Sequence, residues 1–570
     1  MATRQAMWEK VGPRVDLLVI GGGVTGCGIA RDAARRGLDV LVVEMHDLAF
    51  GTSSRSSKLV HGGLRYLEQG ELSLVFEAVS ERRILLDIAP HLVQPLGFLF
   101  PVFKGSRQPL WMINTGMWLY DGLSLFRSPK LHRTLTSDDV GREEPQLRNQ
   151  DLVGAPLYYD CATDDARLTL ENALDATRAG AVVVPRAKVT GLVHGEGGRI
   201  TAVQITDVRT GEVKVVEASA VVNATGPWTD ATVTLGAAPD KPLLRPTKGV
   251  HLVVDHHRLP VRHAVVCFHP TDGRVLFAIP WGEQTYVGTT DTDYFGDPAE
   301  VAATREDVTY LLEAANAYFP EAHLVPEDVL STWAGLRPLM RPVSGDDVDE
   351  SAVSREHQIV VGHDGLITIA GGKLTTYRRM SAEVVDTVVK LLRLARRLPP
   401  SLVDPHTDRE PLPGAVGWPE DDDTSRLVAR TRELSGDVIA EASARHLVRC
   451  YGTRALDLAR RIRTAPELAA PLVPGRPEVL GQVDWSVLEE LASDVDDVLV
   501  RRTQLFYRDA DQGLGCAQAV GERIGALLGW DEARVAQSVQ GYRDVVALAR
   551  RWQQEEATAA AEAQAAIPTP

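Results

Sequence analysis

The sequence predicts a doubly wound α/β domain interleaved with an α+β domain and followed by an α-helical C-terminal domain. Three observations carry this prediction. The chain opens with a short apolar run, Asp16–Ile20, a glycine-rich turn, the helix-forming stretch Ile29–Arg36 closed by Gly37, and a second apolar run, Asp39–Val43, that ends at Glu44. This is the strand–turn–helix–strand opening of a doubly wound sheet. Strand-like and helix-like segments then alternate as far as Leu394, which suggests an α/β part threaded through a β-rich part. After a proline-rich stretch, Ser425–Gln554 is helical in pattern with few strand signals.

The later strands are expected at Ala181–Val184, Ile200–Asp207 and Ala220–Asn223, then at Gly249–Asp255, Val275–Ile279, Thr285–Gly288, Gln358–Val361 and Leu366–Ala370. Helices are expected at Ser73–Asp87, Arg167–Ala179, Arg305–Tyr318 and Thr375–Leu394. At 570 residues the chain exceeds what one core supports, so several domains are expected. Residues 14–90, 150–235 and 345–397 are assigned to a discontinuous nucleotide-binding domain, and 91–149 and 236–344 to a substrate-binding domain. Residues 398–423, rich in proline and ending in the acidic run Glu420–Asp423, read as a linker. Residues 424–555 form the helical domain, and the alanine-rich 556–570 a disordered tail.

The formal net charge of -16 disfavours nucleic acid, whose phosphates require basic surfaces. An anionic substrate would then need a local basic pocket working against the overall field. The five cysteines are scattered, with no C-x-x-C pair and no zinc spacing, so reduced thiols and no metal site are expected. His256, His257 and His263 do not change this; Asp255–Arg258 reads as an exposed turn. Met1–Pro13 lacks the apolar core of a signal peptide, and no apolar run is long enough to span a bilayer. A cytoplasmic protein, at most peripheral on the cytoplasmic face of a membrane, is expected.

Gly21-Gly22-Gly23-Val24-Thr25-Gly26 carries G-x-G-x-x-G. Gly21 permits the tight turn, Gly23 lets backbone approach a diphosphate, and Gly26 lets helix and strand pack closely. A lone motif of this kind says little, but here it follows a strand, opens a helix and precedes an acidic strand end, Glu44, suited to ribose hydroxyls. Two later segments favour FAD over NAD. Asn223-Ala224-Thr225-Gly226-Pro227-Trp228 leads a strand into a turn, as where a flavoprotein chain returns to its cofactor. Gly371-Gly372-Lys373-Leu374-Thr375 follows a strand and precedes a helix whose N-terminus suits the flavin's pyrimidine edge. The hydroxyl-rich run Thr52-Ser53-Ser54-Arg55-Ser56-Ser57-Lys58 would wrap a ribityl chain or diphosphate, or else is a solvated loop.

That run leads into His61-Gly62-Gly63-Leu64-Arg65-Tyr66-Leu67. Together with Asp164-Asp165-Ala166-Arg167-Leu168, Lys248-Gly249-Val250-His251, Gly288-Thr289-Thr290-Asp291, Gly335-Leu336-Arg337-Pro338-Leu339 and Gly371–Arg378, it resembles the membrane-associated, aerobic-type FAD-dependent glycerol-3-phosphate dehydrogenases, from about Asp16 to Arg379. The resemblance implies a substrate pocket lined by Arg65, Tyr66, Arg337, Arg355 and Lys373; Val250 stands where the family often has a small hydroxyl residue. It also implies that His61, Gly62 and Gly63, with the three motifs above, contact FAD. Oxidation of sn-glycerol 3-phosphate to dihydroxyacetone phosphate would send the C2 hydride to flavin N5. Arg337 would stabilise developing alkoxide, with Lys373 beside it, and His251 or His61 would act as base. The family mostly passes electrons to quinone, while an oxidase branch uses oxygen. Phe103–Lys130, with Trp111, Met112, Trp118, Leu119 and Phe126 edged by Lys104, Arg107, Arg127 and Lys130, is either a membrane contact or a core helix pair. A homodimer is expected. Two other readings are an amino-acid or amine oxidase of the same superfamily and a FAD-binding interaction module without turnover. Several cations near the flavin favour phosphate over carboxylate.

Overall fold

The structure is a computed structural model that describes residues 3–63, 70–125, 129–236, 241–341, 356–398 and 401–554. Arg65, Tyr66, Phe126, Arg127, Arg355 and the tail 556–570 lie outside the described residues.

Two sheets organise the molecule. The first has eight strands, with the central order Gln358–Val361, Leu366–Ala370, Val213–Asn223, Arg14–Ile20, Val40–Glu44 and Val182–Pro185. The four from Leu366–Ala370 to Val40–Glu44 run parallel, as does Val182–Pro185 beside them. Leu17, Leu18 and Val19 are fully buried, because helices cover the sheet and a parallel strand buries both faces. Helix Val24–Arg35 packs against Asp165–Arg178 and Tyr377–Leu394. Register aligns Ile20 with Val43 and Asn223, and Asn223 with Thr368. The turns after these strands therefore emerge side by side at the carboxyl ends of the sheet, the usual ligand edge of such folds.

The second sheet has eleven strands and is mostly antiparallel. It takes Leu59–Val60 and Leu152–Ala162, which the boundaries 14–90 and 150–235 assign to the nucleotide-binding part. The eleven-residue strand Leu152–Ala162 is hidden in the sequence by Gly154, Pro156 and Asp160, which break a strand pattern; it forms because it pairs with Gln94–Leu99, Val102–Phe103, Arg133–Thr136 and Leu59–Val60. Strands Thr247–Asp255 and Val329–Arg337 pair antiparallel, with His251 opposite Trp333 and Gly249 opposite Gly335. Their alternate residues, Val250, Leu252, Ala334 and Leu336, enter an apolar core on the other face.

Residues 398–423 differ from a free linker. The segment is a strap over the first domain's helices: Arg31 donates to the carbonyls of Thr407 (3.2 Å) and Glu410 (2.7 Å), and Gly414 donates its N–H to Glu171 (2.8 Å). Leu412 is fully buried there, so an apolar residue and backbone polar groups tie down a stretch that looks solvated by composition. The helical domain has a core of its own around Leu447, Leu458 and Ile462, while Val483, Val498 and Leu505 share a cluster with Phe98, Tyr286 and Trp333 of the second sheet. Among the described residues no helix is long and apolar enough to cross a membrane.

Candidate active site

A continuous cavity of about 1230 Å³ runs from the glycine-rich turn of the first sheet to the paired strands of the second. Drug-sized pockets occupy roughly 300–1,000 Å³, so this one has room for a dinucleotide and a small substrate.

At one end the glycines are required by contact. Gly21 sits at φ +111°, and a Cβ there would lie 2.5 Å from the Ala224 carbonyl oxygen. A Cβ on Gly26 would lie 2.0 Å from the Gly21 oxygen. Gly23 meets only Ser53 Oγ at 3.2 Å and opens on the cavity. Glu44 accepts from the N–H groups of Gly22 (2.7 Å) and His46 (2.8 Å), so it braces the turn while lining the cavity; burial pushes its carboxyl up. Trp228, Phe50 and His46 form an aromatic wall, with His46 stacked on Phe50 at 4.0 Å.

At the other end, alternation along Thr247–Asp255 and Val329–Arg337 points Gly249, His251, Gly335 and Arg337 into the cavity. His251 Nε2 is 2.9 Å from Ser57 Oγ, and its ring stacks on Trp333 at 4.6 Å. Burial, then Arg337, then Lys58 hold the His251 imidazole well below its ordinary range, so it is neutral. Arg337 donates to Asp291 Oδ1 (2.9 Å), Thr289 Oγ1 (3.2 Å) and the Thr290 carbonyl (3.1 Å), which fixes its guanidinium. Arg274 lines the same region and donates to the Asp291 carbonyl. Gly371 and Gly372, both at positive φ, bring Lys373, Leu374 and Thr375 to the cavity, and Thr375 Oγ1 accepts from the His61 N–H at 3.1 Å.

Of the residues the sequence singled out, Gly21, Gly23, Thr25, Glu44, Thr52, Ser53, Ser57, His61, Gly63, Ala224, Thr225, Gly226 and Trp228 line the cavity, as do His251, Arg337 and Gly371 through Thr375. Gly22, Gly26, Ser54 and Gly62 stand behind the wall. Lys58 is a correction: its buried ammonium binds Asp165 (2.7 Å) and the Ser54 carbonyl (3.0 Å), so its charge is spent inside the protein. The predicted pattern had no means of pairing residues far apart in sequence. It missed the Ser57–His251 contact and the role of Thr289, Thr290 and Asp291 as the cradle of Arg337, although the G-T-T-D run was visible. It also missed Asp160, whose carboxylate takes Tyr120 Oη (2.8 Å), the Gly62 N–H (3.2 Å) and Arg82 beneath the His61–Gly63 turn.

Comparison with known proteins places these features in a family. Residues 16–378 match the family described as FAD dependent oxidoreductase, and residues 405–535 match the C-terminal domain of alpha-glycerophosphate oxidase. The chain is 39% identical over 544 residues to glycerol-3-phosphate dehydrogenase 2 of Mycobacterium tuberculosis strain H37Rv, covering 95% of this chain and 90% of that one. It is 36% identical over 521 residues to the aerobic glycerol-3-phosphate dehydrogenase of Staphylococcus haemolyticus, covering 91% and 92%. Its fold matches the glycerol-3-phosphate dehydrogenase of Bacillus halodurans complexed with FAD, at a TM-score of 0.77 and 33% identity, over 96% and 97% of the two chains.

Proposed function

The chain belongs to the FAD-dependent oxidoreductases and, within them, to the glycerol-3-phosphate dehydrogenases, and on that premise we propose that its cavity oxidises sn-glycerol 3-phosphate to dihydroxyacetone phosphate and passes the electrons to a quinone. The residues present fit the cofactor: at Gly21 and Gly26 a Cβ would strike backbone oxygen, so glycine is what allows this tight turn, and Gly23 opens on the cavity where a diphosphate would lie. Gly21, Gly23 and Thr25 would hold the diphosphate, Glu44 the ribose, and Gly371 through Leu374 the ring. Bound FAD supplies the two-electron acceptor for the hydride from substrate C2.

The observation that carries the reading is the convergence, on one face of two paired strands, of a neutral buried histidine and a fixed arginine, with Lys373 arriving from the other sheet. The hydroxyl proton would leave to His251, whose ring lines the cavity with Nε2 2.9 Å from Ser57 Oγ, another lining residue. Arg337, already oriented by Asp291 and Thr289, would meet the charge growing on the substrate oxygen without reorganising. Lys373 and Arg274 add positive charge suited to a phosphate. His61 enters the site through its backbone bond to Thr375 and is the second candidate base.

Quinone as acceptor and peripheral membrane attachment are supported by helix Leu110–Leu123. Its inner residues Ile113, Gly116 and Met117 line the cavity, while Trp111 is 68% and Trp118 56% exposed. Leu119 is exposed beside them, and Leu72 and Phe76 are exposed on the helix packed against it. An aromatic ridge of this kind next to a cavity wall suits a bilayer interface. Anaerobic mixing with glycerol 3-phosphate should bleach the bound flavin, and a quinone analogue should restore the colour faster than oxygen does. Arg337→Ala should slow bleaching by roughly 100-fold or more while FAD stays bound. Wild-type flavin that glycerol 3-phosphate leaves coloured would overturn the substrate assignment.

A further inference from the structure

We propose that the helical C-terminal domain is a clamp on the nucleotide end of the cofactor site, with Arg501, Arg502 and Asp497 acting as positioning residues through Asp47 and Arg186. The inference rests on the flavin reading above and assigns the helical domain a part in it.

The segment that follows Glu44 forms one wall of the cavity through Met45, His46, Phe50 and Gly51. In its middle Asp47 is fully buried and turned away from the cavity. Its carboxylate takes Arg501 Nε at 2.5 Å and both terminal nitrogens of Arg502 at 2.7 and 2.9 Å. These arginines come from the turn Asp497–Arg502 of the helical domain, and each is almost wholly buried. A neighbouring wall of the cavity is Ala187, Lys188 and Val189. It begins at Arg186, which sits at φ +57°, donates its N–H to the His46 carbonyl at 2.7 Å, and sends its guanidinium to Asp497 at 2.6 Å. Asp497 also accepts from Arg501 at 2.7 Å.

The contacts therefore close a ring. Asp47, Arg501, Asp497 and Arg186 join in turn, and Arg186 returns to the loop at His46. Two cavity walls are tied to each other through a third body. The walls belong to the glycine-rich-turn end, because Leu48 and Glu44 are what a Cβ on Gly22 would meet. Arg501 also lies over the Phe50 ring at 5.6 Å, the ring that stacks on His46. Asp47, Arg501, Arg502 and Asp497 do not line the cavity. They act on cofactor binding by fixing the loop and not by touching the cofactor.

Buried ion pairs yield little net stability compared with apolar packing, and a network of them in one interface fits a demand for a single arrangement of the joined parts. A purely adhesive interface would leave FAD affinity alone. A clamp makes it reciprocal: if these contacts favour the loop shape that holds FAD, bound FAD must favour the contacts by the same free energy.

The test uses the full chain. Asp47→Asn and Arg502→Lys, the latter keeping the charge but losing the two-pronged fork, are compared with wild type by fluorescence titration of reconstituted apoprotein with FAD. Hydrogen exchange across residues 493–503 of the wild type is measured with and without FAD, which needs no variant to fold. The FAD dissociation constant should rise about tenfold or more in both variants. The turnover number at saturating FAD and the KM for glycerol 3-phosphate should not move, and FAD should slow exchange across 493–503. Unchanged FAD affinity in the variants, or exchange across 493–503 that ignores FAD, would overturn the clamp. The substrate assignment is judged separately, by bleaching of wild-type flavin.

Discussion

The charge on His251 is settled by its surroundings. In the unfolded chain an imidazole titrates near pH 6.5. In the folded protein burial, Arg337 and Lys58 depress it, so between the two values the unfolded state binds the extra proton. The stabilisation associated with the neutral ring is then complete above about pH 6.5 and is lost as the pH falls through that value toward the depressed one. His251→Gln should therefore show a shallower fall in melting temperature than wild type between about pH 6.5 and 5. Equal slopes would show that another group titrates there. For the same reason, flavin bleaching in the wild type should show no acid limb near pH 6.5 that disappears in His251→Gln.

Among the elements, the turn before helix Val24–Arg35 and the helix Leu110–Leu123 make opposite demands. The turn tolerates no side chain at Gly26, where a Cβ would meet backbone oxygen at 2.0 Å and only main-chain movement relieves the clash. Gly26→Ala should yield a folded protein that is colourless after purification; a yellow protein with normal FAD affinity would contradict the assigned role of the turn. Helix Leu110–Leu123 instead leaves the apolar side chains Trp111, Met112, Trp118 and Leu119 exposed. Replacing Trp111, Trp118 and Leu119 together by serine should abolish sedimentation with lipid vesicles and slow reoxidation by a membrane quinone, while anaerobic bleaching stays unchanged. Failure of the wild-type protein to sediment with vesicles would remove the membrane reading.

Across the whole molecule, the helical domain is joined to the nucleotide-binding domain by buried charge. Arg167, fully buried on helix Asp165–Arg178, donates two bonds to Glu490 at 2.7 and 2.8 Å and lies 4.4 Å from the centre of the Tyr451 ring. Arg454 reaches both Glu490 (3.4 Å) and Glu171 (3.2 Å). Removing one partner strands the others in a dry interior, at a cost of about 3–5 kcal/mol. Glu490→Gln should lower the melting temperature by several degrees and split a single calorimetric transition into two. A single transition at the wild-type temperature would mean that the pair does not couple the domains.

The opening βαβ unit, the strands Ile200–Asp207 and Leu366–Ala370, the helix Arg305–Tyr318 and the glycine turn were legible in the amino-acid sequence, because each is specified by neighbours within one turn or one strand. The flavin and the family were legible too, through long motifs such as Gly371–Arg378. What only the tertiary structure decided involves partners far apart in the chain. Leu152–Ala162 became a strand through four pairings, and Lys58 left the cofactor for Asp165. Arg337 gained its cradle from residues 46 to 48 positions away, and the arginines of the last domain found Asp47 more than 450 positions back. Local preference sets what a segment is inclined to form, but the burial of a charge and its chosen counter-charge depend on which surfaces meet when the domains close.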